Sequence, residues 1–176
     1  MGKTVNEALD MQLYNTFWRK LQQSKFDLIY YGLHFDGCVK ISRRIKYAII
    51  GITTLATGAW MTWGSIAMVG MICAIIILAS QVVSAVSEKF PYESRKLELR
   101  EMLAELEPVY LEMENDWRSI QNLKMSNQKI QETIQKYDKK QAEIKRHYFK
   151  DDSLPDIDTL RLQADEKTEE YFKYFE

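Results

Sequence analysis

Along this chain, hydrophobic and polar positions alternate at helical spacing everywhere except in one block. Residues 47–87 carry no charged side chain in 41 consecutive positions. At ~1.5 Å rise per residue, one helix of that length would be about twice as long as a hydrocarbon core of roughly 30 Å, so the block is expected to fold back as two spans. The spacing predicts spans over 45–61 and 65–86, a hairpin over 45–87 in all. Its turn falls around 60–65, where Trp60 and Trp63 flank Met61 and Thr62 and Gly64 follows. Tryptophan is favoured at the headgroup level, which suits that position. The alternative is a buried hairpin in a soluble core, but 176 residues provide too little chain to wrap two fully apolar helices of this length.

Thr4 and Glu7 have capping-box spacing, and Leu9, Leu13, Phe17 and Leu21 recur at helical steps behind them. This predicts an amphipathic helix over 1–24 that docks on a helical bundle, lies on a membrane surface, or gates the mouth of a pore. Phe26, Ile29, Tyr30 and Leu33 extend the pattern into an interfacial helix over 25–46. Gly32 and Gly37 each cost a helix roughly 1 kcal/mol, so one of them is expected to mark a bend. Tyr30 and Tyr31 suit a membrane interface, and His34 reads as packing there, because only Asp36 stands near it at ligand spacing.

Beyond the apolar block, Pro91 can open a helix at its first turn. Leu99, Leu103, Leu106, Tyr110, Met113, Trp117 and Ile120 then follow steps of three and four, the signature of a coiled-coil seam. The seam continues more weakly through Asn127, Ile130, Ile134, Tyr137 and Ile144, and Pro108 is expected to kink it near Ala104. Residues 91–150 hold either one helix of ~55 residues, about 80 Å long, or a hairpin that folds back at 124–127. Asp151, Asp152, Ser153 and Pro155 interrupt the pattern before an acidic last helix in 151–176, with Ile157, Leu160, Ala164, Tyr171 and Phe175 on its apolar side. The expected fold is an all-α membrane protein with an N-terminal amphipathic helix, a two-helix transmembrane hairpin and long cytoplasmic coiled-coil helices, assembled as a homo-oligomer.

Averages of composition conceal this organisation: the net charge is only −1 and apolar content 46%. By segment the charge is +4 over 1–46, −5 over 93–116, +6 over 118–150 and −6 over 151–176, which predicts pairing within the chain or between subunits. Lys40, Arg43, Arg44 and Lys46 precede the hairpin, Lys89, Arg95 and Lys96 follow it, and the turn is uncharged. The positive-inside rule then places both termini in the cytoplasm of a multi-pass inner-membrane protein. Cys38 and Cys73 fall in different environments under this topology, so no disulfide is expected.

Within the hairpin, Cys73, Ile77, Ser80, Ser84 and Ser87 step by three and four and, with Thr54, are the candidate pore-lining residues. The competing reading is that the serines bond their own helix backbone and ease packing. Leu9, Leu13, Phe17 and Leu21 are the gating candidates. Leu103, Leu106, Tyr110, Met113 and Trp117 are the candidate oligomerisation seam, closing between subunits or within one. Lys136, Lys139, Lys140, Lys145, Arg146, His147 and Lys150, near Tyr137, Tyr148 and Phe149, form a candidate site for an anionic nucleotide. The competing reading pairs these cations with the acidic segments, and no duplex nucleic acid is expected. No glycine-rich phosphate loop, CxxC pair or HExxH occurs, so no enzyme, metal or cofactor is expected.

An N-terminal helix, an interfacial segment with Tyr30, Tyr31, His34, Ser42, Arg43 and Arg44, a tight two-span hairpin and a long cytoplasmic helix together resemble the SLATT family over residues 20–150. The resemblance implies an oligomeric membrane effector of bacterial antiphage defence, similar to the membrane effector of Hailong-type systems. Its implied control is a cyclic or linear oligonucleotide made by a partner nucleotidyltransferase, and its implied action is depolarisation and growth arrest, with a tetramer as a guess at the subunit number. The acidic segment after Asp151 departs from the family outline. A membrane-anchored coiled-coil scaffold and a holin-like protein are the competing classes.

Overall fold

A computed structural model describes the backbone of residues 2–63, 67–87, 91–122, 124–149, 154–173 and 175; the side chains of 2–10, 63, 67, 69, 83–87 and 91–93 fall outside the description. The described residues form five helices and no strand: α1 (Gly2–Trp63), α2 (Ala67–Ser87), α3 (Pro91–Gln121), α4 (Asn127–Tyr148) and α5 (Asp158–Phe172). The chain divides into two compact units, one of residues 1–34 and 98–176 and one of residues 35–97.

Where three separate pieces are expected before the turn, α1 is one helix of 62 residues. No proline occurs in it, and a helix satisfies its backbone hydrogen bonds internally, so a change from amphipathic to wholly apolar surface does not interrupt it. Gly32 and Gly37 therefore lower its stability without bending it out of helix. Of the turn expected around 60–65, residues 60–63 belong to α1 and 64–65 lie outside the described residues.

In the first unit, α1, α3, α4 and α5 share a core. Phe17, Leu21, Leu99 and Met102 are wholly buried, and Leu106, Val109, Tyr110, Met113, Trp117 and Ile120 nearly so. Trp117 is the hub, with ring centroids 4.5 Å from Tyr14, 6.0 Å from Phe17 and 4.9 Å from Trp18. Phe17 reaches Tyr137 on α4 at 6.5 Å, and Trp18 reaches Phe172 on α5 at 5.0 Å. Burying each such side chain contributes roughly 1.5 to 3 kcal/mol. Of the two alternatives for the seam, the chain shows closure within itself, with Leu106, Tyr110, Met113 and Trp117 buried in the bundle. Leu103 is half-buried.

Of the two alternatives for residues 91–150, the chain adopts the hairpin. Asn122 and Lys124 donate backbone hydrogen bonds back to the carbonyls of Arg118 and Ser119, closing α3. Ser126 then caps α4 by accepting from the Lys129 amide, which satisfies one of the free donors at a helix start. Lys145, Arg146 and His147 fill the last turn of α4, where cations favour the negative end of the helix dipole. Pro108 is exposed and α3 runs through it. The acidic last helix is present as α5, but its buried face is Ala164, Thr168 and Phe172. Tyr171 Oη donates to Glu114 at 3.0 Å, tying α5 to α3.

The second unit reverses the polarity of the first. Its buried residues are small: Ala56, Gly70, Cys73 and Ser80. Its large apolar side chains are outside, with Leu55 75%, Met61 83%, Met68 70% and Val82 62% exposed. The hydroxyls of Thr53, Thr54, Thr57, Thr62 and Ser80 donate to backbone carbonyls four residues earlier in the same helix. Among the described residues no helix is long and apolar enough to cross a membrane.

Candidate functional site

Helical spacing brings Phe26, Asp27, Tyr30 and Tyr31 to neighbouring positions on α1. In the first unit they meet Phe149 at the end of α4, Leu154 and Asp156 in the following segment, and Arg161 in α5, around a cavity of about 390 Å³. Aromatic rings make its walls. Phe26 and Tyr30 stack at 5.7 Å, and Tyr31 lies 5.7 Å from Phe149.

Charged groups stand in pairs between the rings. Lys145 donates to Asp27 at 2.5 Å and lies 5.9 Å from the Tyr31 ring centroid. Asp156 accepts from Tyr30 Oη at 3.2 Å and from Arg161 at 3.5 Å. Burial, reinforced by the Asp27 charge, pushes the Tyr31 phenol up to about 12, and burial also raises Tyr30. Both phenols therefore act as protonated donors at neutral pH. Stacking walls suit recognition of a planar ring, and each cation beside them is matched by a carboxylate, Arg161 by Asp156 and Lys145 by Asp27. Among the described residues no group of three or more His, Cys, Asp or Glu could hold a metal ion.

His34 borders this region, edge-on to Tyr30 at 4.7 Å. It is only 6% exposed, and its Nε2 has no hydrogen-bond partner among the described residues. Burial lowers its pKa, against an opposing pull from Asp156. The unfolded chain takes up a proton near pH 6.5 while the folded chain resists it, so stability is full above that pH and falls below it. The urea midpoint of the wild type is expected to drop more than that of His34→Leu between about pH 7.5 and about pH 5. Equal drops in the two proteins would remove His34 as the cause.

The residues singled out from sequence are dispersed. Lys136 and Lys140 approach Glu112 on α3 at 3.7 and 3.5 Å, and Lys139 lies 4.0 Å from Glu143 on its own helix. Only Lys145 comes beside the cleft, through its hydrogen bond to Asp27. Arg146 and His147 are exposed, His147 lying edge-on to Tyr148 at 4.9 Å, and Lys150 lies outside the described residues. Tyr137 is buried with its hydroxyl on Asp116 at 2.7 Å, and Tyr148 donates to Glu105 at 2.8 Å. The basic segment thus pairs in part with the acidic one, and Tyr137 has no free face for a base. Phe17 and Leu21 are core residues of the bundle and Leu13 is half-buried, so this stripe docks on the bundle; the Leu9 side chain lies outside the described residues. Cys73 and Ser80 are buried and Ile77 half-buried in the second unit, Thr54 is exposed, and the side chains of Ser84 and Ser87 lie outside the description. Tyr30, Tyr31 and His34, expected at a membrane interface, belong instead to the cleft and its border.

Sequence reasoning missed Phe26, Asp156 and Arg161. The signal available was three aromatics at 26, 30 and 31, which share a side of α1. Comparison with family models, curated proteins and solved structures found no match.

Proposed function

We propose that this chain is an oligomeric pore-forming membrane effector whose helical bundle carries a ligand cleft. The observation behind this reading is the inverted polarity of the second unit. Large apolar side chains left in water would forfeit roughly 25 cal/mol per Å² of surface, whereas hydrocarbon imposes no such cost. Small side chains in the interior are what close packing of helices in lipid requires, and hydroxyls bonded to their own helix leave few groups needing water. Basic flanks on both sides of the hairpin favour cytoplasmic termini.

Association of hairpins is supported by Gln81. It is exposed beside Leu78 and Val82 and has no hydrogen-bond partner among the described residues. An unpaired amide in hydrocarbon costs several kcal/mol, so neighbouring copies would satisfy one another there and provide a polar path. The scaffold reading is weakened, because the seam that was to recruit a partner is consumed inside the chain. The SLATT resemblance extends the proposal to antiphage defence under a nucleotide or oligonucleotide signal. The aromatic walls of the cleft support such a ligand there rather than along the whole basic segment, its anionic groups competing with Asp156 for Arg161 and with Asp27 for the neighbouring Lys145.

Purified full-length protein in a planar bilayer is expected to give discrete conductance steps, and Gln81→Leu to reduce their frequency by at least about tenfold. Short DNA oligomers or cyclic nucleotides should change that activity in the wild type and not in a Tyr31→Ala, Arg161→Ala variant. Inserted protein without conductance would overturn the pore, and an equal ligand response in the variant would overturn the cleft as sensor.

A further inference from the structure

The described side chains of the second unit include six cations, Lys40, Arg43, Arg44 and Lys46 on α1 and Arg95 and Lys96 on α3, against the single carboxylate of Asp36. Arg95 and Lys96 lie close enough to Cys38 for their charge to pull its thiol pKa down against the larger upward effect of burial, so the two helices contribute to one basic region. Lys40, Arg43 and Arg44 are exposed and hold no ion pair among the described residues. Asp36 lies one turn before Lys40 on the same side of the helix, and Lys46, Arg95 and Lys96 have partners of their own, so the exposed charge centres on Lys40, Arg43 and Arg44.

Steps of three and four place Lys40, Arg43, Arg44 and Tyr47 on one side of α1. The same side continues into Gly51 and Leu55. Tyr47 is 67% and Leu55 75% exposed, and a Cβ built on Gly51 would meet nothing within 4 Å. The stripe therefore runs from cations through a tyrosine to a smooth apolar strip. Guanidinium forks match phosphate oxygens, tyrosine is favoured at the headgroup level, and an acyl chain lies well on an apolar helix face with a glycine recess.

We infer that this face of α1 binds an anionic phospholipid, its headgroup phosphate held by Lys40, Arg43 and Arg44 and its acyl chain laid along Gly51 and Leu55. The inference rests on the membrane reading above and adds a lipid-specific site to it. A basic side chain at a membrane surface strengthens binding to anionic lipid about fivefold, so loss of three removes on the order of a hundredfold.

The test reconstitutes the full-length wild type and a Lys40→Gln, Arg43→Gln, Arg44→Gln variant into vesicles of phosphatidylcholine alone and of phosphatidylcholine mixed with phosphatidylglycerol. Lipid retained on the protein after gentle detergent extraction is then identified by native mass spectrometry. Enrichment of phosphatidylglycerol on the wild type, lost in the variant and undiminished by excess soluble glycerol phosphate, is the expected result. Insertion of both proteins with no enrichment overturns the lipid site and leaves the membrane reading standing. Failure of the wild type to enter either kind of vesicle overturns both. A variant that keeps the lipid but loses mass as an oligomer assigns the face to a second copy and overturns the site.

Discussion

Replacing Leu106 and Met113 together by Asp is expected to abolish the cooperative thermal unfolding of the bundle. The two side chains are 4% and 2% exposed and sit one above the other's turn along the core face of α3. Truncating a buried Leu or Met to Ala already costs about 2 to 5 kcal/mol, and a carboxylate adds the loss of its hydration. Two such changes meet or exceed the roughly 5 to 15 kcal/mol that holds a typical domain folded. Circular dichroism on heating is the measurement, with loss of the wild-type transition as the expected outcome. A variant that melts like the wild type but falls to a smaller mass in detergent would show that the seam joins subunits after all.

The second large effect is expected at Leu78→Asp. Leu78 is 61% exposed near the middle of α2. Were that surface in water, an exposed Leu-to-Asp change would fall within about 0.5 kcal/mol of neutral. In a bilayer, Asp at a helix centre costs about 3 kcal/mol, a loss of more than a hundredfold in the inserted fraction. Alkaline extraction of membranes followed by quantification of the retained chain separates the two. A Leu78→Asp variant retained as fully as the wild type would place that face away from lipid.

How much of this architecture could be read from the chain depended on whether the relevant partners were close in sequence. The steps from Leu99 to Ile120 are local, and they identified the core face of α3 because a helix converts spacing directly into a common side. Locality failed where glycines and a change of polarity suggested boundaries: α1 passes through Gly32 and Gly37 because roughly 1 kcal/mol at each is small beside the packing on either side. The pairing of Lys136 and Lys140 with Glu112, and of Lys145 with Asp27, depends on the register of α4 against α3 and α1, which no count of charges contains. The cleft is the extreme case. Tyr30 and Asp156 are 126 positions apart, and they meet only because the chain after α4 returns to α1. In the second unit the spacing already put Cys73 and Ser80 on one face and Leu78 on the other, because helical steps are local; that the small face is the buried one is seen in the placed helices.

The stacking of indoles around Trp117 has an optical consequence. Trp18 and Trp117, 4.9 Å apart and tilted by 32°, are close enough for their transition dipoles to couple, which yields a paired positive and negative band in circular dichroism that vanishes when α1 separates from α3. Trp60, 46% exposed in the other unit, is open to collisional quenching by brominated acyl chains. Dichroism of the Trp18–Trp117 pair and lipid quenching of Trp60 therefore report bundle integrity and bilayer entry as separate signals from the same unlabelled sample.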